Sequence, residues 1–519
     1  MQDADVIIIG SGIGGLVAGA LLARYGKRVL VCESHSIAGG AAHSFTRKGF
    51  HFDSGPSFYC GLGNVGAGAD RPSLNPLRQV LDVLEQPLET IPYDPLGHYY
   101  FPDATLPIYG DADRYREAIA AITPTGAKQL QQLEAKLLGL YDALKGIPTL
   151  ALRPDLNAIP LLFKRYAWNM AKMLPYVGVV NGPVSQWSDR TLQDPWVQRL
   201  LDVECFLLSG LKASGTVMPE MAFMFGERSE SVIDYPIGGS GAIIAALVSG
   251  LEKWGGQVKL NAHIEQIIVK DNRAVGVKLR KGKVLHAPTV ISNATLWDTY
   301  NHLLDPEDLP SSYRTKALET PAVESFMHLH LGIRADGLDH LTGHHVVVHD
   351  QNTDITVPGN TCMISIPSVW DKNLAPDGHH VVHAYTLESY SNWQQNDWDQ
   401  NGQRDDQYRS QKQERSQPLF RALEKVIPDI RDRITLELIG TPLTHARYLR
   451  RYQGTYGPAI AAGQATFPGN KTPIKGLYRV GDSTVPGIGV PAVAASGILC
   501  ANGLVKPEQT VELLDKLGI

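Results

Sequence analysis

The sequence predicts an α/β protein organised around a parallel sheet of the dinucleotide-binding type. Residues 6–9 read VIII, a short β-branched run typical of a strand buried on both faces of such a sheet. This run leads into GSGIGG at 10–15, a G-x-G-x-x-G motif that opens a small-residue helix predicted over 16–25. A second strand, predicted over 28–32, ends at Glu33. The combination of strand, glycine turn, helix, second strand and terminal acid predicts a dinucleotide site, which a glycine motif alone would not.

The glycines of this motif have separate tasks. Gly10 makes the tight turn after the strand, Gly12 lets backbone N–H groups reach a diphosphate, and Gly15 lets the helix pack on the strand. The N-terminus of the helix stabilises the phosphate charge. Glu33 is placed to accept hydrogen bonds from the ribose hydroxyls.

Two further stretches indicate that the dinucleotide is FAD. Residues 37–40, IAGG, add a glycine pair after the ribose-binding acid, which keeps the chain close to the FAD diphosphate. Near the C-terminus a strand is predicted to end at Asp482, where an acid can hold a ribityl hydroxyl, and GIGV at 487–490 opens an Ala-rich helix over 491–502. The dipole of that helix would stabilise a reduced flavin. The predicted cofactor-binding residues are Gly10, Ser11, Gly12, Ile13, Gly14, Gly15, Glu33, Ser34, Gly39, Gly40, Ile264, Gly481, Asp482, Gly489 and Val490.

The composition excludes several classes of function. A chain of 519 residues predicts two to four domains, and a hydrophobic content of 43% is typical of a globular protein. The net charge of −5 and the lack of a basic stripe predict no nucleic-acid partner. Five scattered cysteines without a C-x-x-C pair indicate a reducing compartment, and they predict neither a disulfide framework nor a zinc site.

Two stretches raise the question of a membrane. Residues 156–181 are amphipathic and carry Lys164, Arg165 and Lys172 among apolar and aromatic side chains, which is the pattern of a helix lying in a membrane interface. A core-facing helix with a solvated rim gives the same pattern. The longest uncharged run, 483–505, is diluted by Gly, Ala, Ser and Pro, so a buried helix is expected there. The first strand begins so early that no signal peptide is expected before it.

The remaining segments are predicted from composition and periodicity. A Gly-rich loop is expected at 64–72 and a helical stretch at 112–146. Nucleotide-binding character returns at 235–297, and 323–390 is mostly strand-like. The charged, Gln-rich run at 391–417 is either a solvated helix or an insertion.

Two acids in an apolar stretch are the candidates for proton transfer. Asp202 and Glu204 lie within LLDVECFLLSG at 200–210. A carboxyl group in such a setting is desolvated, which raises its pKa and its value as a proton donor. The alternative is a buried structural acid whose partner is the backbone or an arginine.

The histidines do not predict a metal site. HHVVVHD at 344–350 and HHVVH at 379–383 occur in strand-like stretches, where adjacent side chains face opposite sides. Pairs such as His345 with His349, or His379 with His383, share a face, but no cysteine or paired carboxylate accompanies them at ligand spacing. We therefore expect no metal.

Several motifs give the chain a resemblance to a known family. They are DVECF at 202–206, YPIGG at 235–239, ISNATLWDTY at 291–300, LAPDGHHVVH at 374–383 and LYRVGDSTVPGIGVPAVAASGILCA at 477–501. With the first glycine motif they resemble the carotenoid isomerase and phytoene desaturase group of FAD-dependent oxidoreductases, and most of all its prolycopene cis–trans isomerases. GGAAHSF at 39–45 and FDSGPSFYCG at 52–61 are similar to the retinol saturase branch. Ile488 and Pro491 depart from the isomerase pattern, which leaves the substrate open.

The resemblance implies a two-lobed α/β fold of the amine-oxidase type. A Rossmann-type FAD lobe would be formed by 1–95, 235–300 and 451–519, with a helical substrate and membrane-contact region at 96–234 and a substrate-lobe mixed β-sheet at 301–450. An apolar tunnel for a long polyene would lie between the lobes. Within the helical region, 156–181 would contact the membrane, on its cytoplasmic or plastid-stromal face.

The resemblance also implies an activity. Reduced FAD would isomerise a carotenoid polyene without net redox change, after reduction by an external donor that the sequence does not identify. Desaturation or saturation of a carotenoid or retinoid chain uses the same ingredients and is the alternative. A non-enzymatic alternative is a lipid-chain carrier like the GDP-dissociation inhibitors, which resemble this superfamily in fold.

Overall fold

The computed structural model describes residues 3–63, 73–156, 158–230, 233–394 and 405–519. The predicted loop at 64–72 lies outside the described residues, as does part of the charged run at 391–417. In the described ranges the strands are β1 (Val6–Ile9), β2 (Val29–Cys32), β3 (Ser44–Arg47), β4 (Phe50–Asp53), β5 (Thr90–Pro92), β6 (Gly97–Tyr100), β7 (Thr105–Ile108), β8 (Asp234–Pro236), β9 (Gln257–Lys259), β10 (Ile264–Lys270), β11 (Arg273–Leu279), β12 (Val284–His286), β13 (Thr289–Ser292), β14 (Ser325–Arg334), β15 (His344–Val348), β16 (Thr361–Ser365), β17 (His379–Glu388), β18 (Ile434–Gly440) and β19 (Leu477–Arg479). The α-helices there are α1 (Ile13–Arg24), α2 (Pro76–Val83), α3 (Ala112–Ile122), α4 (Pro124–Leu144), α5 (Ala158–Met173), α6 (Ser185–Thr191), α7 (Pro195–Ser209), α8 (Met218–Ser229), α9 (Gly239–Lys253), α10 (Leu296–Asn301), α11 (Ser311–Leu318), α12 (Asp406–Val426), α13 (Ile430–Arg433), α14 (Pro442–Leu449), α15 (Val490–Gly503) and α16 (Pro507–Leu517).

The first lobe is built on a five-stranded parallel sheet of order β19-β13-β1-β2-β9. β1 is the central strand, with Ile8 paired to Val31 on one side and to Ile291 on the other. All four of its residues are buried, as a central parallel strand with both faces covered requires. The sheet brings together three parts of the chain that are far apart in sequence.

α1 begins three residues earlier than the sequence predicts. Gly14 and Gly15 form its first turn, and a Cβ at Gly15 would collide with the carbonyl oxygen of Gly10. α1 packs against α15, which is the buried helix expected from the uncharged run at 483–505. None of the helices in the described ranges combines the length and apolar character needed to cross a bilayer.

The second lobe is built on a seven-stranded mixed sheet of order β18-β14-β17-β16-β15-β6-β7. On one face of β14, Met327, Leu329 and Leu331 pack with α12 in an apolar core. The β3–β4 hairpin of the first lobe covers the other face, where Phe52 packs with Val381. The site described below lies at this junction of the lobes.

The region at 96–234, expected to be helical, is helical only in part. Its first strands, β6 and β7, complete the seven-stranded sheet, because β6 pairs in parallel with β15. The helices α3 to α8 follow, with α4 packed on α3 and α8.

Candidate functional site

One cavity of about 690 Å³ joins the two ends of the chain. Gly12, at the start of α1, and Gly489, at the start of α15, line the same space. Its volume is in the range of cofactor and ligand sites. The predicted cofactor residues that line it are Gly10, Gly12, Ile13, Gly14, Glu33, Ser34, Gly39, Gly40, Ile264, Gly481, Asp482, Gly489 and Val490.

The glycine turn is a cradle of bare backbone. A Cβ at Gly12 would lie 2.7 Å from the side-chain nitrogen of Asn293, and a Cβ at Gly14 would lie 2.9 Å from the backbone nitrogen of Gly481. Gly481 has φ of +99°, which glycine adopts without strain. The free N–H groups at the start of α1 therefore remain accessible to a diphosphate. Sequence reasoning missed Asn293, although it lies in the ISNATLWDTY motif directly after β13.

Glu33 is held in place at the end of β2. Its carboxylate accepts hydrogen bonds from the backbone nitrogen and hydroxyl of Ser11, at 2.9 and 2.6 Å, and from the backbone nitrogen of His35 at 2.8 Å. Ser11 and Gly15 are buried behind the cavity wall, so they shape the cradle from behind. A carboxylate has further acceptor sites, and Glu33 itself lines the cavity, where ribose hydroxyls could reach it.

Asp482 lies on the cavity wall near the start of α15. Arg451 forms an ion pair with it at 2.6 Å, and the hydroxyl of Ser483 donates to it at 3.1 Å. Arg451 also lines the cavity and was not predicted from the sequence. The pair fixes the carboxylate at the point where the start of α15 faces the cavity.

Asp202 and Glu204 do not reach the cavity that the described residues enclose. Glu204 is fully buried and forms an ion pair with Arg228 at 3.0 Å, while the hydroxyl of Tyr115 donates to it at 2.8 Å. Asp202 accepts a hydrogen bond from the backbone nitrogen of Ala213 at 2.9 Å. The partners of both acids lie within the helical region, so the structure places neither carboxylate at the cavity, and their role in catalysis stays a prediction.

A third acid of the helical region, Glu220, does not line the cavity either, but it retains its proton at neutral pH. One carboxyl oxygen of Glu220 on α8 is buried and has no hydrogen-bond partner among the described residues. Burial raises the pKa of Glu220 to about 8, so its neutral form prevails at pH 7. When ionised, Glu220 would raise the pKa of Tyr456, a residue that lines the cavity. The pKa of Tyr456 is already raised, mainly by burial.

The end of the cavity beyond Asp482 is lined by aromatic and imidazole rings. Phe326 packs edge-on against Tyr385 and Tyr456, with ring centroids 5.6 and 5.3 Å apart. Burial lowers the pKa of His445 to about 3 and lowers that of His328 as well, so both rings are neutral at pH 7. This wall is suited to an uncharged, elongated ligand.

Comparison with known proteins agrees with this geometry. The profile of the family of flavin-containing amine oxidoreductases matches residues 13–505. The chain is 35% identical over 512 residues to the chloroplastic prolycopene isomerase 1 of an Oncidium hybrid cultivar, covering 96% of this chain and 84% of the relative. It is 26% identical to the neurosporene-forming phytoene desaturase of Cereibacter sphaeroides, covering 96% of this chain and 94% of the relative.

A solved structure supports the fold. An oxidoreductase from Methanosarcina mazei superposes with a TM-score of 0.60 at 18% identity, over 95% of this chain and 98% of that one. The predicted two-lobed α/β fold and the FAD cofactor are thereby confirmed. The chain belongs to the flavin-containing amine oxidoreductase family, in the branch that includes the prolycopene isomerases.

Proposed function

We propose that this chain is an FAD-dependent isomerase of a long carotenoid polyene, acting with reduced FAD and without net redox change. The observation that carries the proposal is the single cavity in which a dinucleotide cradle continues into a neutral aromatic wall. The similarity to plant prolycopene isomerases extends over nearly the whole chain and supports the same reaction class.

The residues of the cradle suit each part of FAD. The turn around Gly12 and Gly14 would face the diphosphate, Glu33 would accept from the ribose, and Asp482 would hold the ribityl chain. Val490, at the start of α15, would lie near the flavin ring. Bound FAD, when reduced, would transiently supply the electrons that lower the bond order of a C=C bond, and their return to the flavin would leave no net redox change.

The side chains around the cavity would orient the polyene and exclude water from it. The wall of Phe326, Tyr385 and Tyr456 would hold the polyene in register and exclude water. Glu220 does not line the cavity but interacts electrostatically with Tyr456, and its neutral form would keep a proton near this wall at pH 7.

The experiment that tests the reaction is a mass balance. The FAD-loaded enzyme is reduced, kept free of oxygen and incubated with a panel of cis-carotenoids, and the products are read by chromatography and mass spectrometry. We expect new geometric isomers of unchanged mass, and none from the enzyme left oxidised. A loss or gain of two hydrogens would overturn isomerisation in favour of a desaturase or a saturase.

Desaturation is the second candidate, because a phytoene desaturase is similar to the chain over nearly its full length. A desaturase would act with oxidised FAD and release a product lighter by two hydrogens, so the same incubation separates the two.

A flavin-free carrier of lipid chains is less well supported, because the glycine cradle is intact. A purified protein that is colourless and does not take up FAD would favour the carrier.

We also propose peripheral contact with a membrane through the segment 156–181, on a cytoplasmic or plastid-stromal face. The exposed apolar side chains of this segment form a surface around α5 that nothing else in the described chain covers; they are Leu156, Ile159, Phe163, Trp168, Leu174 and Val177. Such a surface would let an apolar polyene pass between bilayer and protein. The electron donor that reduces FAD is a further, external partner.

A further inference from the structure

The geometry points to a metal site, formed by His328, His330 and His383 at the aromatic end of the cavity. All three side chains are buried, and one ligand nitrogen from each lies within 4.8 Å of the others. Three neutral imidazoles are a ligand set for a divalent transition metal such as Zn²⁺. The site goes beyond the isomerase proposal, which requires no metal.

The sheet places these three rings together. His328 and His330 are two residues apart on β14, so they project from the same face. In the antiparallel pairing of β14 with β17, His383 lies directly opposite His330. The ring centroids of His330 and His383 are 4.5 Å apart, and those of His328 and His383 are 4.9 Å apart.

The hydrogen bonds of the cluster leave nitrogens without partners. Nδ1 of His328 and Nε2 of His383 lie 2.7 Å apart and share one proton. The other ring nitrogen of each, Nε2 of His328 and Nδ1 of His383, is buried without a partner among the described residues. Because both rings are neutral, one of these two nitrogens carries the remaining proton and the other has a free lone pair. Buried polar atoms are rarely left unpaired in a native protein, and an ion bound by all three rings would replace the hydrogen bond between His328 and His383.

His330 is oriented in the manner of a metal ligand. Its Nε2–H donates to the carbonyl oxygen of Asp53 at 3.0 Å, which leaves Nδ1 as the nitrogen with a free lone pair. A backbone carbonyl that fixes the ring through its second nitrogen is the usual support of a ligating histidine.

The three histidine nitrogens could bind one ion after small movements of their side chains. A tetrahedral ion bound at about 2 Å holds its ligand nitrogens about 3.3 Å apart, so side-chain shifts on the order of 1 Å would close the site. His328 lines the cavity, and His445, with its ring centroid 4.4 Å from that of His328, lines it too. The fourth position of the ion would therefore face the cavity and take water or His445.

Metal titration of the FAD-loaded protein tests the site. After chelator treatment and dialysis, we expect one Zn²⁺ per chain by calorimetry and elemental analysis. His330→Gln and His383→Gln should each weaken binding by about 100-fold or more. His380→Gln is the matched control, because His380 lies on the same strand and bonds to Ser368 instead, and it should bind zinc like the wild type.

X-ray absorption of zinc in the wild-type protein gives a result that does not depend on the variants' folding. We expect at least three nitrogen ligands at about 2.0–2.1 Å. Substoichiometric zinc, sulfur ligands, or equal affinity in folded His330→Gln and His383→Gln proteins would overturn the proposal. Each result is independent of the isomerase assay, so the metal site and the reaction can fail separately.

Discussion

At the scale of single residues, Gly12 shows how little space the cradle leaves. A methyl group there would approach the side chain of Asn293 to 2.7 Å and intrude on the path of the diphosphate. Gly12→Ala should therefore weaken FAD binding by about 10-fold or more, since overpacking of this kind costs on the order of 1–3 kcal/mol. The flavin absorbance that remains after dialysis against graded FAD measures the effect.

A glycine without neighbours provides the control for this substitution. A Cβ at Gly469 would meet nothing within 4 Å, so Gly469→Ala should retain FAD like the wild type. Equal flavin content in both variants would contradict the assignment of the cradle.

Glu220 should make stability depend on pH in a defined direction. Its pKa is raised from 4.5 to about 8, so the folded protein keeps a proton that the unfolded chain releases. The resulting stability is complete below about pH 4.5 and is lost as the pH rises through about 8. In Glu220→Gln there is no proton to lose, so the melting temperature of the variant relative to the wild type should rise from about pH 4.5 to about pH 8 and then level off.

An exposed acid separates this effect from general charge removal. Glu319→Gln, at the end of α11, should leave the pH dependence of melting unchanged. A Glu220→Gln curve parallel to that of the wild type would show that the buried carboxyl does not retain its proton.

Whether two acids, Glu204 and Glu220, have ion-pair partners could not be predicted from the sequence. Glu204 and Glu220 both lie in helices with many apolar residues, so the local sequence predicts the same environment for both. Glu204 meets Arg228 from the next helix, whereas Glu220 meets no cation in the part of the chain that the structure describes. The difference depends on which side chains tertiary packing brings opposite each acid, and a local pattern carries no such information.

At the scale of elements, the segment 156–181, which contains α5, makes the most direct prediction. Phe163, Trp168 and Leu174 are each more than half exposed, at 65%, 74% and 72%. Replacing all three with serine should reduce cosedimentation with phospholipid vesicles by about 100-fold or more, because each inserted side chain contributes about 1.5–3 kcal/mol. The melting temperature should change little, because these side chains are already exposed in the fold.

Three other exposed apolar residues form a matched control. Leu260, Val284 and Val357 lie outside the segment 156–181, and their replacement by serine should leave vesicle binding intact. Equal loss in both triple variants would mean that the membrane contact is nonspecific.

The sequence predicts individual strands and turns, but it does not predict which strands pair or in which register. The spacing of the glycines and the flanking strands sufficed to predict the FAD cradle, because that information is local. The sequence also shows His328 and His330 two residues apart in a strand-like stretch. Their meeting with His383 depends on the register between β14 and β17, which are separated by some fifty residues, and no local pattern fixes such a register.

For the whole molecule, FAD should be a major source of stability. The cavity lies where the two lobes and the two ends of the chain meet, so a cofactor bound there would contact all of them at once. A ligand present at 1,000 times its Kd adds about 4 kcal/mol. We expect the flavin-free protein to melt lower, with a melting temperature that rises with the logarithm of the FAD concentration.

Riboflavin is the control that separates stabilisation by the whole FAD molecule from stabilisation by the flavin ring alone. It lacks the diphosphate and adenosine, so it leaves the cradle around Gly12 and Glu33 empty and should stabilise the protein much less than FAD. Stabilisation by riboflavin equal to that by FAD would contradict a ligand that spans the cavity.

The position of β19 and α15 has a consequence for biosynthesis. The amino-terminal turn leaves the ribosome hundreds of residues before these last pieces of the pocket are made. A nascent chain thus has half a binding site throughout most of translation, and it can capture its yellow pigment only once synthesis is nearly over. Chains arrested before residue 477 should emerge colourless, however much flavin the cell supplies.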